Sequence, residues 1–259
     1  LILKIAGVSL ESVKLCAVIE MIHASSLLHD DVIDDADTRR GEPSVNALFD
    51  NKTAIMFGDV LYSKAFTQLS QMDDKIAYIV ASAVTKLSVG EMLDVDLTET
   101  FNSSYDKYFD MIYKKTASLI EASAQAAAIL SGKDEKKYAL YGKNLGLAFQ
   151  MIDDILDITQ DSKTLGKPAM LDFVEGKVTI PYLLLHQRLD DKKKLENLYK
   201  KELTADETAW IKDQMDRTDA LIDSITQAKA LGNEAIAVLE DENSPELIMI
   251  MKAMIEREF

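Results

Sequence analysis

Cysteine, proline, glycine and positive charge are all scarce in this sequence. One cysteine, Cys16, stands among 259 residues. A lone thiol excludes an internal disulfide and fits a reducing compartment; it is expected to pack as a small hydrophobe. Four prolines and ten glycines leave few points at which a helix must stop. No alternating pattern marks a strand, no repeat recurs at solenoid spacing, and no low-complexity linker breaks the chain. No uninterrupted apolar run approaches the ~18 residues of a spanning helix, and no signal peptide shows. Lysine and arginine number 29 against 44 aspartates and glutamates, a net charge of −15. That excess of acid argues against nucleic-acid binding and against adsorption to anionic membranes. These shortages point to a cytoplasmic protein with no transmembrane segment.

What is abundant is apolar and helix-forming. Hydrophobic residues make up 47% of the chain, and Ala, Leu, Ile, Lys, Glu and Asp dominate, which favours an all-α fold. Residues 1–259 read as one domain. Ser9 is placed to cap a long helix over 10–34. Gly41 and Pro43 break the chain, and helices are expected over 53–72, 74–96, 105–130 and 135–158. A loop over 160–176 precedes a helix over 177–189. Thr204-x-x-Glu207 is a capping box for a helix to about Leu231, and Ser244-Pro245-Glu246 opens the last helix. The pattern at Leu1 starts inside an element, so residues upstream of it are expected.

Two acidic clusters carry the chemistry. Residues 23–41 read HASSLLHDDVIDDADTRRG, placing Asp30, Asp31, Asp34, Asp35 and Asp37 within eight residues, with Arg39 and Arg40 just beyond. On a helix Asp30 and Asp34 are i and i+4, so two like charges lie one turn apart on one face and repel. Such a pair calls for a cation. Hard oxygen donors suit Mg²⁺, which takes one or two carboxylates plus substrate phosphates rather than a full protein cage. Residues 150–157, QMIDDILD, repeat the D-D-x-x-D pattern as Asp153, Asp154 and Asp157. Apolar helical runs precede both clusters: Ile19, Ile22, Leu27 and Leu28 before the first, Leu145, Leu147 and Phe149 before the second. A single acidic helix end is ordinarily solvated surface. Two copies on apolar helices fit carboxylates facing each other across a bundle. The pairs Asp73-Asp74 and Asp190-Asp191 have no third acid on their face and read as surface.

The segments LLHDDVIDDADTRRGEPSVN, YKKTASL, FQMIDDILD and LGKPAMLDFVEGKVTIP, in that order, resemble the trans (E-type) polyprenyl diphosphate synthases, of the long-chain type, over residues 23–181. The resemblance implies an isoprenoid-synthase-type helical bundle around a central cavity. It implies a Mg²⁺-dependent condensation of an allylic prenyl diphosphate with isopentenyl diphosphate. The implied metal ligands are Asp30, Asp31, Asp34, Asp153, Asp154 and Asp157. Arg39, Lys115 and Lys167 would face the allylic diphosphate, and His23 and Arg40 the isopentenyl one. Thr116 shares the motif of Lys115. Gln150 would turn its carbonyl oxygen to the carbocation, and Lys177 occupies the family's second lysine position. A homodimer, and a product handed to a membrane, follow from the same resemblance.

Product length is read just upstream of the first motif. In the family a Phe or Tyr four or five residues before the first aspartate ends growth early; here those positions hold Ser26 and Ser25. The motif also lacks the two-residue insertion of short-chain bacterial members. Both features imply a long product, heptaprenyl or octaprenyl diphosphate, a quinone side-chain precursor. Met21, Phe57 and Phe101 are candidates for the pocket floor. Two departures stand out: the family's upstream Gly-Lys-x-x-Arg segment is absent, and Asp94 replaces a Gln three residues after Glu91. The alternatives are a farnesyl or geranylgeranyl diphosphate synthase and a non-catalytic subunit of a heteromeric synthase, which loses one or both aspartate motifs. A class I terpene cyclase replaces the second aspartate motif, which is intact here. An acidic metal-binding protein leaves Arg39, Arg40, Lys115, Lys167 and Lys177 unexplained.

Overall fold

Side-chain caps set most of the helix starts. In the computed structural model, which describes residues 1–5, 9–160, 170–242 and 244–256, helix α1 (Ile2–Ile5) is followed by α2 (Leu10–Ile33), whose N-cap Ser9 accepts the Ser12 N–H. Helix α3 (Val45–Leu48) is capped by Ser44 and α4 (Asn51–Leu69) by Asp50. Each cap satisfies a backbone donor that a helix start leaves orphaned. Helices make up 79% of the structure, in keeping with the all-α expectation. The one departure among the described residues is a two-stranded antiparallel hairpin, β1 (Thr38–Arg39) and β2 (Glu42–Pro43). Its turn uses left-handed backbone at Arg40 and Gly41, with φ of 54° and 82°, which the sequence reading missed.

The chain divides into two compact units, residues 1–85 with 122–135, and residues 86–121 with 136–259. In the first, α2 packs against α4. Leu15, Val18, Ile22 and Ser25 of α2 are buried, at helical spacing, and so are the small Ala54, Gly58 and Ala65 of α4. The Ser25 hydroxyl donates to the Gly58 carbonyl at 2.7 Å. A Cβ on Gly58 would fall 2.4 Å from His29 Nε2. Small residues therefore set how closely the two helices approach. Cys16 is exposed, so the expectation that it packs inside is corrected.

Helix α5 (Asp74–Thr98) starts in the first unit and ends in the second. It is long and apolar enough, by length and composition, to cross a membrane, and 39% of its apolar stretch is buried. Lys75, Lys86 and Glu91 interrupt its apolar residues, so it holds no unbroken run of spanning length. The expected single helix over 105–130 is three pieces: α6 (Tyr105–Ile112), a π-helical turn (Tyr113–Ala117) and α7 (Ser118–Leu130). Helix α8 (Glu135–Thr159) carries the second acidic cluster. Within the expected loop a short α9 (Leu171–Glu175) forms, and α10 spans Ile180–Arg188 with Pro181 in its first turn. Then come α11 (Lys192–Leu198), α12 (Ala205–Arg217), α13 (Ala220–Val238) and α14 (Pro245–Ile255). The capping box at Thr204 and Glu207 forms. The helix it opens stops at Arg217 instead of running to Leu231, because Asp219 takes a left-handed φ of 57°. In the second unit α10 is buried all round from Ile180 to His186, as a core helix should be, and packs against α13, α12, α11 and α6.

The π-turn is held where two glycines allow backbones to meet. A Cβ on Gly90 of α5 would lie 2.2 Å from the Lys115 nitrogen, and one on Gly146 of α8 would lie 2.5 Å from the Ala117 Cα. Both neighbours are backbone and cannot swing aside. Gly146→Ala is therefore expected to cost about 1–3 kcal/mol, read as a lowered guanidinium midpoint at unchanged m-value; a change of only a few tenths would refute this close approach.

Candidate active site

The first acidic cluster sits at the C-terminal end of α2, where the exposed carbonyls carry partial negative charge. Asp30 is half-buried and Asp34, the C-cap residue, is exposed. Asp31, one residue on, is buried: its Oδ1 accepts from Arg39 Nε at 2.8 Å and lies 2.7 Å from Arg39 Nη2. The hydrogen bond to Asp31 raises the Arg39 guanidinium further above its ordinary value. Asn46 ties the loop down by donating to the carbonyls of Asp31 and Ala36. Arg40 is exposed at the hairpin turn. Asp31 and Arg39 thus hold each other, so Asp31, expected as a metal ligand, is buried and already paired with a guanidinium. His23 is half-buried on α2, its carbonyl accepting from Ser26 Oγ at 2.9 Å.

The second unit gathers Lys115, Thr116, Gln150 and the second cluster. The π-turn carries Lys115 and Thr116, and π-turns inside helices recur at functional sites. Lys115 Nζ is 2.5 Å from Asp94 Oδ2, 3.0 Å from Glu91 Oε2 and 3.1 Å from Glu91 Oε1. Burial alone would lower the Lys115 pKa; Asp94 and then Glu91 more than offset this and raise it. Asp94, the departure noted in the sequence, is therefore half of an acidic clamp on Lys115.

Gln150 Oε1 accepts from Thr116 Oγ1 at 2.9 Å, and its Nε2 donates to Asp154 Oδ1 at 3.0 Å. Tyr108 of α6 donates to Asp154 Oδ2 at 2.5 Å. Asp153 is exposed, whereas Asp154 and Asp157 are 4% and 3% exposed. Burial pushes the Asp154 carboxyl well above its usual range, with Asp172 adding to it. Asp157 Oδ2 accepts the Asp172 N–H at 3.2 Å. Asp154 and Asp157, expected as ligands, are thus buried, Asp154 with donors on both oxygens and Asp157 with the Asp172 N–H on Oδ2, and only Asp153 of this cluster opens to solvent. Nothing in the sequence pointed to Tyr108, which sits among other aromatics on an amphipathic helix.

Lys177 Nζ lies 3.3 Å from Glu175. Lys167 lies outside the described residues. Ser25 and Ser26 are both buried. Of the floor candidates, Met21 is half-buried, Phe57 is 54% exposed, and Phe101 packs against Phe173, His186 and Tyr199. Asp73, Asp74, Asp190 and Asp191 are exposed, as the sequence implied. Among the described residues no three His, Cys, Asp or Glu side chains converge as a metal cage. In the first unit Asp34 is exposed and Asp30 half-buried, and in the second Asp153 is exposed; each unit thus offers carboxylate oxygens only, donors that suit a hard divalent ion completed by phosphate oxygens.

Stability rests partly on Lys115. Replacing it with Met strands Glu91 and Asp94, two buried acids. Lys115→Met is expected to lose about 3–5 kcal/mol, and the triple variant with Glu91→Gln and Asp94→Asn to recover much of it. Equal denaturant midpoints for wild type and Lys115→Met would contradict the clamp.

The profile of the Polyprenyl synthetase family matches residues 3–215. The chain is 37% identical over 260 residues to the short chain isoprenyl diphosphate synthase of Methanothermobacter thermautotrophicus, covering 93% of this chain and 78% of that one. It is 41% identical over 181 residues to the octaprenyl diphosphate synthase of Escherichia coli, covering 66% of this chain and 54% of that one. The chain thus spans about half the length of this second relative. The crystal structure of octaprenyl pyrophosphate synthase from Helicobacter pylori superposes with a TM-score of 0.91 at 43% identity, covering 99% of this chain and 87% of that one.

Proposed function

The chain belongs to the polyprenyl synthetase family, a family of prenyl-transferring enzymes, and from that premise we propose that it condenses an allylic prenyl diphosphate with isopentenyl diphosphate, with Mg²⁺, to a long all-trans polyprenyl diphosphate. The observation that carries this reading is the pair of acidic clusters towards the C-terminal ends of two apolar helices, with Asp34 and Asp153 exposed and Asp30 half-buried. The family uses a divalent metal. Bound there with diphosphate, Mg²⁺ would neutralise the leaving group. Without a cation, each carboxylate 4 Å from a phosphate charge would repel it by about 4 kcal/mol at an effective dielectric near 20.

In this reading the chain's own residues bind, orient and exclude water. By resemblance, Asp30, Asp34 and Asp153 would hold the metal. Arg40, Arg39 and Lys115 supply positive charge for the phosphates, the last two held in place by Asp31 and by Glu91 with Asp94. Lys167, Lys177 and His23 complete the anion set by resemblance. The allylic carbon–oxygen bond breaks with its electron pair going to diphosphate. The isopentenyl double bond then attacks the resulting allylic cation, and the released diphosphate takes the proton lost from the new chain. Gln150 Oε1 and Thr116 Oγ1 present partial negative charge near that cation. Apolar helix faces keep water from quenching it.

Long product is proposed on Ser25, Ser26 and the uninserted motif, and two octaprenyl synthase relatives support it. A shorter product is the second reading, favoured by the likeness to the archaeal short chain synthase. A homodimer is proposed because the end of α3 and the start of α4 expose Leu48, Phe49, Ile55, Met56, Phe57 and Val60, an apolar face suited to a two-fold contact; sedimentation as a monomer at micromolar concentration would count against it. A cytoplasmic location and delivery of product to a membrane are proposed from the acidic charge, the free thiol and the product's own chemistry.

Isopentenyl diphosphate incorporation should require Mg²⁺ and stop with a chelator. Asp30→Ala and Asp153→Ala should each cut turnover by orders of magnitude, while Asp190→Ala changes nothing. Chromatography of the dephosphorylated products should show heptaprenyl or octaprenyl chains; farnesyl or geranylgeranyl lengths would decide for the second reading. Full activity in both acid variants would refute the site.

A further inference from the structure

Asp153 and Asp154 are adjacent, and one helical step turns a side chain by about 100°, so they cannot face the same way. Asp153 is exposed. Asp154 is 4% exposed, and its partner Tyr108 is 1% exposed. Both Asp154 oxygens are engaged: Oδ2 with the Tyr108 hydroxyl at 2.5 Å, Oδ1 with Gln150 Nε2 at 3.0 Å. A cation reaching either oxygen would leave a buried donor unpaired. On its far side Gln150 Oε1 accepts from Thr116 Oγ1 at 2.9 Å. One chain of hydrogen bonds therefore runs from α6 through α8 to the π-turn, next to Lys115.

We propose that Asp154 is a positioning residue, not a metal ligand: anchored by Tyr108, it fixes the Gln150 amide so that Oε1, not Nε2, is presented beside Thr116. The two ends of an amide are nearly the same shape, and only hydrogen-bond partners decide between them. The Tyr108 hydroxyl donates to Asp154 Oδ2, and Oδ1 accepts from Gln150 Nε2. Gln150 must then turn Nε2 to Asp154 and Oε1 to Thr116. The function of this lock rests on the reaction proposed above, in which the allylic centre becomes positive: the correct amide end attracts that charge and the flipped end repels it. Asp154→Asn can donate as well as accept and no longer dictates the choice. Tyr108→Phe keeps the shape and the carboxylate but removes the anchor.

The test combines a metal count with a double-mutant cycle on the full chain. Mn²⁺ bound in the presence of a non-ionising allylic thiodiphosphate is counted by electron paramagnetic resonance. Asp154→Asn should bind as many ions as wild type, with affinity within about twofold, whereas Asp153→Asn should bind fewer. Loss of Mn²⁺ from Asp154→Asn to the extent seen in Asp153→Asn would make Asp154 a ligand and overturn the proposal. Tyr108→Phe should lower kcat roughly tenfold at unchanged KM, the size expected when one buried hydrogen bond goes. In a Gln150→Ala background the same change should alter kcat less than about twofold, because Tyr108 acts through Gln150. An equal loss in both backgrounds would show a merely structural role and refute the lock. Should Asp154→Asn fail to fold, the Tyr108 cycle decides alone. Wild type that incorporates no isopentenyl diphosphate would refute the proposed reaction instead, and the Mn²⁺ counts would still decide whether Asp154 is a ligand.

Discussion

Charge compensation is the constraint on which the site depends. A chain of net charge −15 concentrates acids at two helix ends, and each buried acid needs a donor or a cation to remain there. The structure meets this with local pairs. Arg39 neutralises Asp31, Lys115 lies between Glu91 and Asp94, and Tyr108 with Gln150 satisfies Asp154. Asp34 and Asp153 stay exposed and Asp30 half-buried. One residue type at neighbouring positions thus meets physically different surroundings, separated by burial, and in the reaction proposed above the more accessible acids are the ones that would meet an added cation.

That division explains what the sequence made legible and what it hid. The D-D-x-x-D repeats and the spacing of apolar residues before them located both acidic clusters and the helices that bear them. They could not rank the six acids, because a motif treats its positions as equivalent while a helix does not. Asp30 and Asp34 share a face; Asp31 is turned about 100° from Asp30, into reach of Arg39. The same rotation separates Asp153 from Asp154. Caps were readable because their interactions are local: Ser9 and the Thr204–Glu207 box form as expected. The π-turn was not readable, since Tyr113–Ala117 resembles any helical segment. Its irregularity goes with the close approach of Gly90 and Gly146, which lie far away in sequence. The break at Asp219 was hidden in the same way, for no Gly or Pro announces it.

Asp94 shows how a departure from a family pattern becomes interpretable once its partner is known. As a residue in a list it had no assigned consequence. Next to Lys115 it converts a single acidic contact, Glu91, into a two-sided clamp. A flexible lysine with one partner can swing; with two it has one favoured position, at the cost of a fixed local charge of minus one. The lysine is then held in place by two carboxylates, and in the reaction proposed above a phosphate would have to compete with both for its protons. A metal-bearing diphosphate, whose own charge is partly cancelled, would compete under less repulsion than a bare one.

Ser25 joins the length question to the packing question. Its hydroxyl is used by the Gly58 carbonyl and its side chain is fully buried between α2 and α4. Gly58 in turn leaves room for the His29 ring and for nothing else. A Phe at position 25 would need a volume that α4 already fills, so it could enter only by moving α4 or by turning away from it. Small size at this position is thus required by the helix contact before any product is considered. The serine by itself is therefore an incomplete signature of the long product proposed above. The stronger argument is the pair: a small residue on α2 opposite a glycine on α4, which together fix how far apart the two helices stand.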